Sequence, residues 1–234
     1  MAVEYIRIPA PNLPEAELLD AGYWHEFDAG STYQLTRGKI LIIERGVLSL
    51  EYEEGSMAAV GNFLGPGDII GAAHALAVDE RCAGSRFIAQ TAVGVTVVSV
   101  DWFGEFITNQ ATAARALLAD LAYQHYREKV CRARNILSAN DRVRLFLEDT
   151  ASRFGVTQSV DAAGSRRIML KINLTQGGIA RTLGVSTAAV EGALRDLRRR
   201  SLIETGRRWI MITLPASNRY LSVIDFAPPV DSRV

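Results

Sequence analysis

Between Leu174 and Leu202 the chain reads LTQGGIARTLGVSTAAVEGALRDLRRRSL. The side chains with chemistry here are hydroxyls, one carboxylate and a run of guanidinium groups. Thr175 and Gln176 open the stretch, where a hydroxyl, an amide and free backbone N–H groups at a helix start suit a phosphate oxygen. Ser186, Thr187, Ala188, Ala189, Glu191 and Gly192 follow a glycine and form the face that would meet base edges. Arg195, Arg198 and Arg199 come next, then Arg207 and Arg208 after a short break. Arginines at this spacing fit phosphate contacts, and the last pair also fits minor-groove entry. The chemistry is therefore recognition of a polyanion, not bond making.

Such residues need a scaffold of two short helices. The first requires an apolar inner face, supplied by Leu174, Ile179, Ala180 and Leu183. The turn requires a residue that tolerates positive φ, supplied by Gly184. The second helix requires an N-cap and an inner face, supplied by Ser186 and by Val190, Leu194 and Leu197. LIETGRRWIMITLP then predicts a hairpin turning at Thr205–Gly206. Upstream, RVRLFLEDTASRFG predicts a helix capped by Asn140 or Asp141 and closed by Gly155. A polar stretch, VTQSVDAAGSRR, leads to a strand, IMLKINL. Helix, strand, helix–turn–helix and hairpin together make a winged helix–turn–helix over residues 139–215.

The rest of the chain differs in texture. Residues 1–22 read as an irregular arm with a short helix at Pro14–Ala21. From Trp24 to Val100, short apolar or alternating runs are broken by glycines, which predicts an antiparallel β sandwich or jelly roll. LGPGDII marks a tight turn between two strands. Asp101 is placed to cap a short helix, WFGEFITN. Then about thirty residues run without Pro or Gly, with an apolar seam at Tyr123, Tyr126, Val130, Ala133 and Leu137, thickened by Leu117, Leu118 and Leu121. That seam predicts a dimerisation helix over 110–138, the alternative being a core helix against the sandwich. The expected fold class is α+β, with an N-terminal unit at 1–109 and a tail at 216–234.

Charge is unevenly divided. From Ala139 onward there are 15 basic and 9 acidic residues, against 11 and 17 before it, so halves of +6 and −6 sum to zero. A basic C-terminal half suits a polyanion that the acidic half avoids. Cys82 and Cys131 fit neither a disulfide framework nor a metal or iron–sulfur spacing. His25, His74 and His125 are scattered, so the ligand cluster of a metal-dependent jelly-roll enzyme is missing and no enzymatic role is expected. The N-terminus lacks a basic segment followed by an apolar run, and no apolar run is long enough to span a bilayer. A cytoplasmic protein without a membrane partner is expected.

These parts, in this order, resemble the bacterial CRP/FNR transcription regulators. The resemblance rests on LTQGGIARTLGVSTAAVEGALRDLRRRSLI with its wing, LGPGDIIG in the sandwich and NDRVRLFL at the hinge, and spans Phe27 to Leu214. It implies a cyclic-nucleotide-binding-like jelly roll, a homodimer through the 110–138 helix, double-stranded DNA as partner, and RNA polymerase as a further partner of an activator. The motif that would bind cyclic AMP is altered. Ala72 follows Gly71 where such members carry Glu, Ala83 and Gly84 occupy the Arg–Ser pair, and Arg127 and Glu128 stand where Thr and Ser would hold the base. SRFIAQTA and the run from SRFGV to LKINLTQGGIA are similar to the cyanobacterial nitrogen-control regulators, which sense 2-oxoglutarate. That similarity implies a small anionic effector near Ile70, Gly71, Ala72, Ala73, Arg86, Arg127 and Glu128, although Tyr123 replaces a dimer-helix Arg. For Arg86 the alternative is a strand residue paired with a local acid. A second alternative is an effector-independent regulator whose sandwich is filled, with Ala72 and Ala73 facing a packed interior.

The resemblance also sharpens the reading face. Family members commonly carry Arg or Glu at the positions held here by Thr187, Ala188 and Gly192, so bidentate readout of G·C pairs is largely absent. What remains is a methyl surface from Thr187, Ala188 and Ala189, one acceptor in Glu191, and the arginines. Specificity is expected from thymine methyls, DNA shape and the wing.

Overall fold

The computed structural model describes residues 5–7, 21–54, 57–72, 86–115, 117–118, 122 and 134–215. The chain divides into two compact units, 1–133 with 172–187, and 134–171 with 188–234. The Pro14–Ala21 helix, most of the 110–138 seam and the 216–234 tail lie outside the described residues.

The first unit holds two antiparallel sheets. One has the order β1 (Tyr5–Arg7), β7 (Asp68–Ile70), β4 (Lys39–Arg45), β9 (Val93–Ser99), β2 (Tyr23–Phe27). The other has the order β3 (Thr32–Gln34), β8 (Arg86–Ala89), β5 (Leu48–Glu54), β6 (Met57–Leu64). This is the jelly-roll-like arrangement read from the glycine-punctuated runs. The turn at Gly65–Gly67 carries the chain from β6 in one sheet to β7 in the other. Asp68 fixes it: its Oδ2 accepts from the Gly65 N–H at 2.7 Å while its own N–H donates to the Gly65 carbonyl at 2.9 Å.

The central strands show why their sequences do not alternate. In β4, Leu41 and Ile43 face the cluster between the sheets, with Leu48, Leu50, Phe87, Val93, Val95 and Val97. Ile40 and Ile42 face the opposite side and pack with Val98, Phe103, Phe106 and Ile107. A strand buried on both faces reads as a continuous apolar run. The cover on that outer side is α1 (Val100–Asn109), whose Trp102 ring stacks on Phe106 at 5.2 Å. Its N-cap is Ser99, whose hydroxyl accepts from the Trp102 N–H at 3.1 Å, rather than the expected Asp101. Asp101 sits in the first turn, where a carboxylate still favours the positive end of the helix dipole. Helix resumes at 111–115 and 117–118, and Ala113 and Leu117 complete the same cluster.

The second unit opens with a 3-10 turn at Arg134–Ile136, so the long helix expected to run to 138 has ended by then. Helix α2 (Ala139–Phe154) follows. Its cap is Ser138, which accepts from the Asp141 N–H at 3.2 Å, so neither Asn140 nor Asp141 is the N-cap. The helix closes at Gly155 as expected. A four-stranded antiparallel sheet packs under it in the order β10 (Val156–Val160), β11 (Arg166–Leu170), β13 (Trp209–Leu214), β12 (Ile203–Gly206). The polar stretch after Gly155 is thus a strand, not a connector. Asp161 makes that possible by accepting from the Ala163 and Ser165 N–H groups at 2.9 and 2.8 Å, which closes a tight turn into β11. The strand in IMLKINL begins earlier, at Arg166, and ends at Leu170.

Candidate nucleic-acid interface

Helix α3 (Gln176–Leu183) begins where expected. Thr175 is its N-cap, and the Thr175 Oγ1 accepts from the Gly178 N–H at 3.0 Å. Ile179 and Ala180 are buried, while Leu174 and Leu183 are only half-buried. Gly184 ends the helix with φ 60 and ψ 43. The Val185 N–H donates to the Ala180 carbonyl at 3.1 Å and the Gly184 N–H to the Arg181 carbonyl at 3.3 Å. This pair of bonds is a Schellman closure, and its left-handed residue favours glycine. The expected reading region, 139–215, is divided between the units because α3 meets β6 and groups with the first. Thr175→Ala is expected to lower stability by about 1 kcal/mol through loss of the cap, read by urea denaturation.

The next helix, α4 (Thr187–Arg199), leaves Ser186 at the N-cap position. Val190, Ala193, Leu194 and Leu197 are buried, the inner face read from the sequence with Ala193 added. Thr187, Ala188, Glu191, Gly192, Arg195, Arg198 and Arg199 are exposed, and Ala189 is half-buried. Thr187, Ala188, Glu191 and Arg195 recur at helical spacing, so the methyl surface and the carboxylate share one face. A Cβ at Gly192 would meet nothing within 4 Å. No packing demand therefore explains this helix glycine, and it leaves the backbone bare beside Glu191.

The arginines of α4 are engaged with the helix itself. Arg195 Nη2 lies 2.7 Å from Glu191 Oε1, and Arg199 Nη2 lies 2.7 Å from Asp196 Oδ1. Arg200 reaches the other oxygen of Asp196 at 3.6 Å. The Arg198 Nε donates to the Leu194 carbonyl at 3.2 Å. Ser201 then closes the helix at φ 56, with the same two bonds seen at Gly184: Leu202 N–H to Leu197 carbonyl and Ser201 N–H to Arg198 carbonyl, both 3.0 Å.

The hairpin corrects one expectation. Thr205 and Gly206 pair with Ile210 and Trp209 as strand residues, so the turn is Arg207–Arg208. Trp209 supplies the reason. Its indole ring lies against Gly206, where a Cβ would run into it, so the glycine serves the strand pair and the turn moves outward. Arg207 and Arg208 are both exposed, and Arg208 has φ 63. Arg181 on α3, exposed and one turn from Gly177, is not singled out by the sequence reading; its position in the last turn of a short helix is the signal that could have found it.

The expected effector residues do not come together among the described residues. Ile70 lies in the cluster between the sheets. Gly71 has φ 88, and a Cβ there would sit 2.9 Å from the Lys39 carbonyl, so its identity follows from the fold alone. Ala72 is fully buried in the outer cluster with Ile40, Phe103 and Phe106. Arg86 projects from the face of β8 opposite Phe87 and Ala89. Its guanidinium is half exposed, with Nε 3.6 Å from Glu51 Oε2, which is the local ion pair named as the alternative. Ala73, Arg127 and Glu128 lie outside the described residues. Among the described residues no group of three His, Cys, Asp or Glu is placed to hold a metal, and no helix is long and apolar enough to cross a membrane.

Residues 116–217 match the model of the Crp-like helix-turn-helix domain. Among solved structures the chain is similar to FixK2 from Bradyrhizobium japonicum, at 18% identity and a TM-score of 0.63, covering 88% of this chain and 98% of that one. It is similar to the c-di-GMP-responsive global regulator CLP of Xanthomonas campestris, at 13% identity and a TM-score of 0.64, covering 85% and 99%. A CRP/FNR-family transcriptional regulator from Thermus thermophilus aligns at 19% identity and a TM-score of 0.57, covering 81% and 93%. No curated protein matches in sequence.

Proposed function

We propose that this chain, which carries the Crp-like helix–turn–helix domain at residues 116–217 on a CRP/FNR-type fold, is a DNA-binding transcription regulator and not an enzyme. The observation that carries the reading is the helix pair itself. Thr175 caps α3, Gly184 turns the chain in the left-handed conformation, and α4 buries one face while presenting Thr187, Ala188, Glu191 and its arginines to solvent. The test is titration of a random-sequence duplex pool with the full chain at several salt concentrations. A specific Kd of about 10⁻⁸ M or tighter at physiological salt, with affinity falling steeply as salt rises, is expected. Binding no tighter to a selected duplex than to bulk DNA would remove the function.

A second copy of the chain is the other partner. Leu118 is 67% exposed and Ile136 90% exposed, apolar side chains that one subunit leaves in water, the first on the seam of the 110–138 segment and the second in the 3-10 turn near its end. Leu118→Glu with Ile136→Glu is expected to shift the sedimenting species from dimer to monomer. If the variant stays dimeric, the seam is not the interface. Contact with RNA polymerase belongs to the activator form of this function.

For the sandwich, packing favours a regulator that works without an effector. Among the described residues, Leu41, Leu50, Leu64, Ile70 and Phe87 belong to one buried cluster between the sheets, Ala72 packs under α1, and Arg86 pairs with Glu51. The competing reading is gating by a small anion of 2-oxoglutarate type, with cyclic AMP disfavoured by Ala72. Calorimetric titration with 2-oxoglutarate separates the two. Saturable heat that disappears in Arg86→Gln would restore the gated reading.

A further inference from the structure

We infer that the wing tip, Arg207–Arg208, is the specificity-determining element of this protein and reads the narrow minor groove of A·T-rich DNA, while the arginines of α4 serve the phosphate backbone. This rests on the DNA-binding function proposed above and assigns the residues that discriminate between sequences.

Charge pairing is the first support. Arg195 is paired with Glu191, Arg199 and Arg200 share Asp196, and Arg167 on β11 is 2.6 Å from Glu204 on β12. Arg207 and Arg208 have no acidic partner among the described residues. The second unit thus places two adjacent uncompensated guanidinium groups at one point, the tip of a two-residue turn.

The shape of the tip is the second. Arg208 stands at φ 63, a region that disfavours a side chain and that glycine or asparagine would enter freely. An arginine there carries a backbone cost that glycine would not. Gly206 has no side chain and Trp209 folds back over it, so the two arginines alone project from the end of the hairpin. A tip this thin fits a minor groove about 6 Å wide, which a helix does not enter.

The reading helix supplies the third. The first turns of its exposed face offer methyl groups, Glu191 and bare backbone at Gly192, and the guanidinium that shares this face, Arg195, is held by Glu191. Bidentate purine readout at those turns is therefore absent, and the wing is left to discriminate. Guanidinium groups are weakly hydrated, and A·T tracts have a narrow groove of strong negative potential, which is the pairing that shape readout uses.

The experiment uses the full chain and a duplex selected by it from a random pool. In the segment that hydroxyl-radical footprinting assigns to the wing, A·T pairs are replaced by G·C and separately by inosine·C, which looks like G·C in the major groove but lacks the minor-groove amino group. The wild type is expected to bind the G·C duplex about tenfold more weakly and the inosine·C duplex like the A·T one. The Arg207→Lys, Arg208→Lys variant keeps both charges and is expected to lose this preference. Arg208→Gly, which relieves the backbone, is expected to melt no lower than the wild type and to lose it as well. A lysine variant that keeps the preference, or inosine·C binding as weakly as G·C, overturns the inference while leaving DNA binding intact. Failure of the wild type to select any duplex would instead overturn the function on which it rests.

Discussion

Leu197→Ala is expected to destabilise the second unit by about 2–5 kcal/mol, the range for removing a buried leucine side chain from a packed site. Leu197 is 3% exposed and belongs to the inner face of α4 with Val190, Ala193 and Leu194. That face is the means by which α4, the proposed reading helix, is held. The outer face is exposed and, at Gly192, bare. A loss of this size is a large fraction of the stability of a domain. Urea unfolding followed by the fluorescence of Trp209, with Trp24 and Trp102 replaced by phenylalanine, reports on this unit alone. Leu197→Met should cost under about 1.5 kcal/mol, since it conserves volume. DNA affinity of the alanine variant should fall only as its unfolded fraction grows. A change below about 1 kcal/mol would mean that α4 is not docked through this side chain.

The features most legible in the sequence are those fixed by local chemistry. Thr175 caps a helix because its hydroxyl is one residue ahead of the first turn, and Gly184 turns the chain because few other residues enter that conformation. Both are readable without tertiary information. Sequence reasoning fails where several residues compete for one local role. Ser99 and Asp101 both suit a cap, as do Ser138, Asn140 and Asp141, and backbone direction at the helix entry decides in favour of the serines. The hairpin turns two residues later than Thr205–Gly206, although Thr-Gly is an ordinary turn pair. Trp209 stacking on Gly206 overrides that preference, and only the fold shows this contact. The strand Val156–Val160 escapes sequence reasoning because all five of its side chains are exposed, so it carries no apolar alternation. Arg86 shows the limit of spacing as a guide. Its place in β8 is legible, but the face it occupies depends on the phase of Phe87 and Ala89 against the core.

Replacing Arg195 and Arg198 together with alanine is expected to weaken DNA binding by about 10²–10⁴-fold near physiological salt, and to make the dependence of log affinity on log salt shallower by about 3.5. The slope follows from counterion release, at about 0.9 per neutralised phosphate, because each subunit of the proposed dimer then leaves two phosphates to their counterions. Both side chains are exposed on α4, Arg195 beside Glu191 and Arg198 against the Leu194 carbonyl. A phosphate oxygen would compete with Glu191 for Arg195, so Glu191→Gln should strengthen non-specific binding by releasing that guanidinium. If Glu191 instead accepts from a cytosine amino group, the same variant weakens the selected duplex while strengthening bulk DNA. The two effects are read in one pair of titrations, on the selected duplex and on a scrambled one. An unchanged salt slope in the double alanine variant would remove both arginines from the backbone contacts and leave the wing as the basic element of the site.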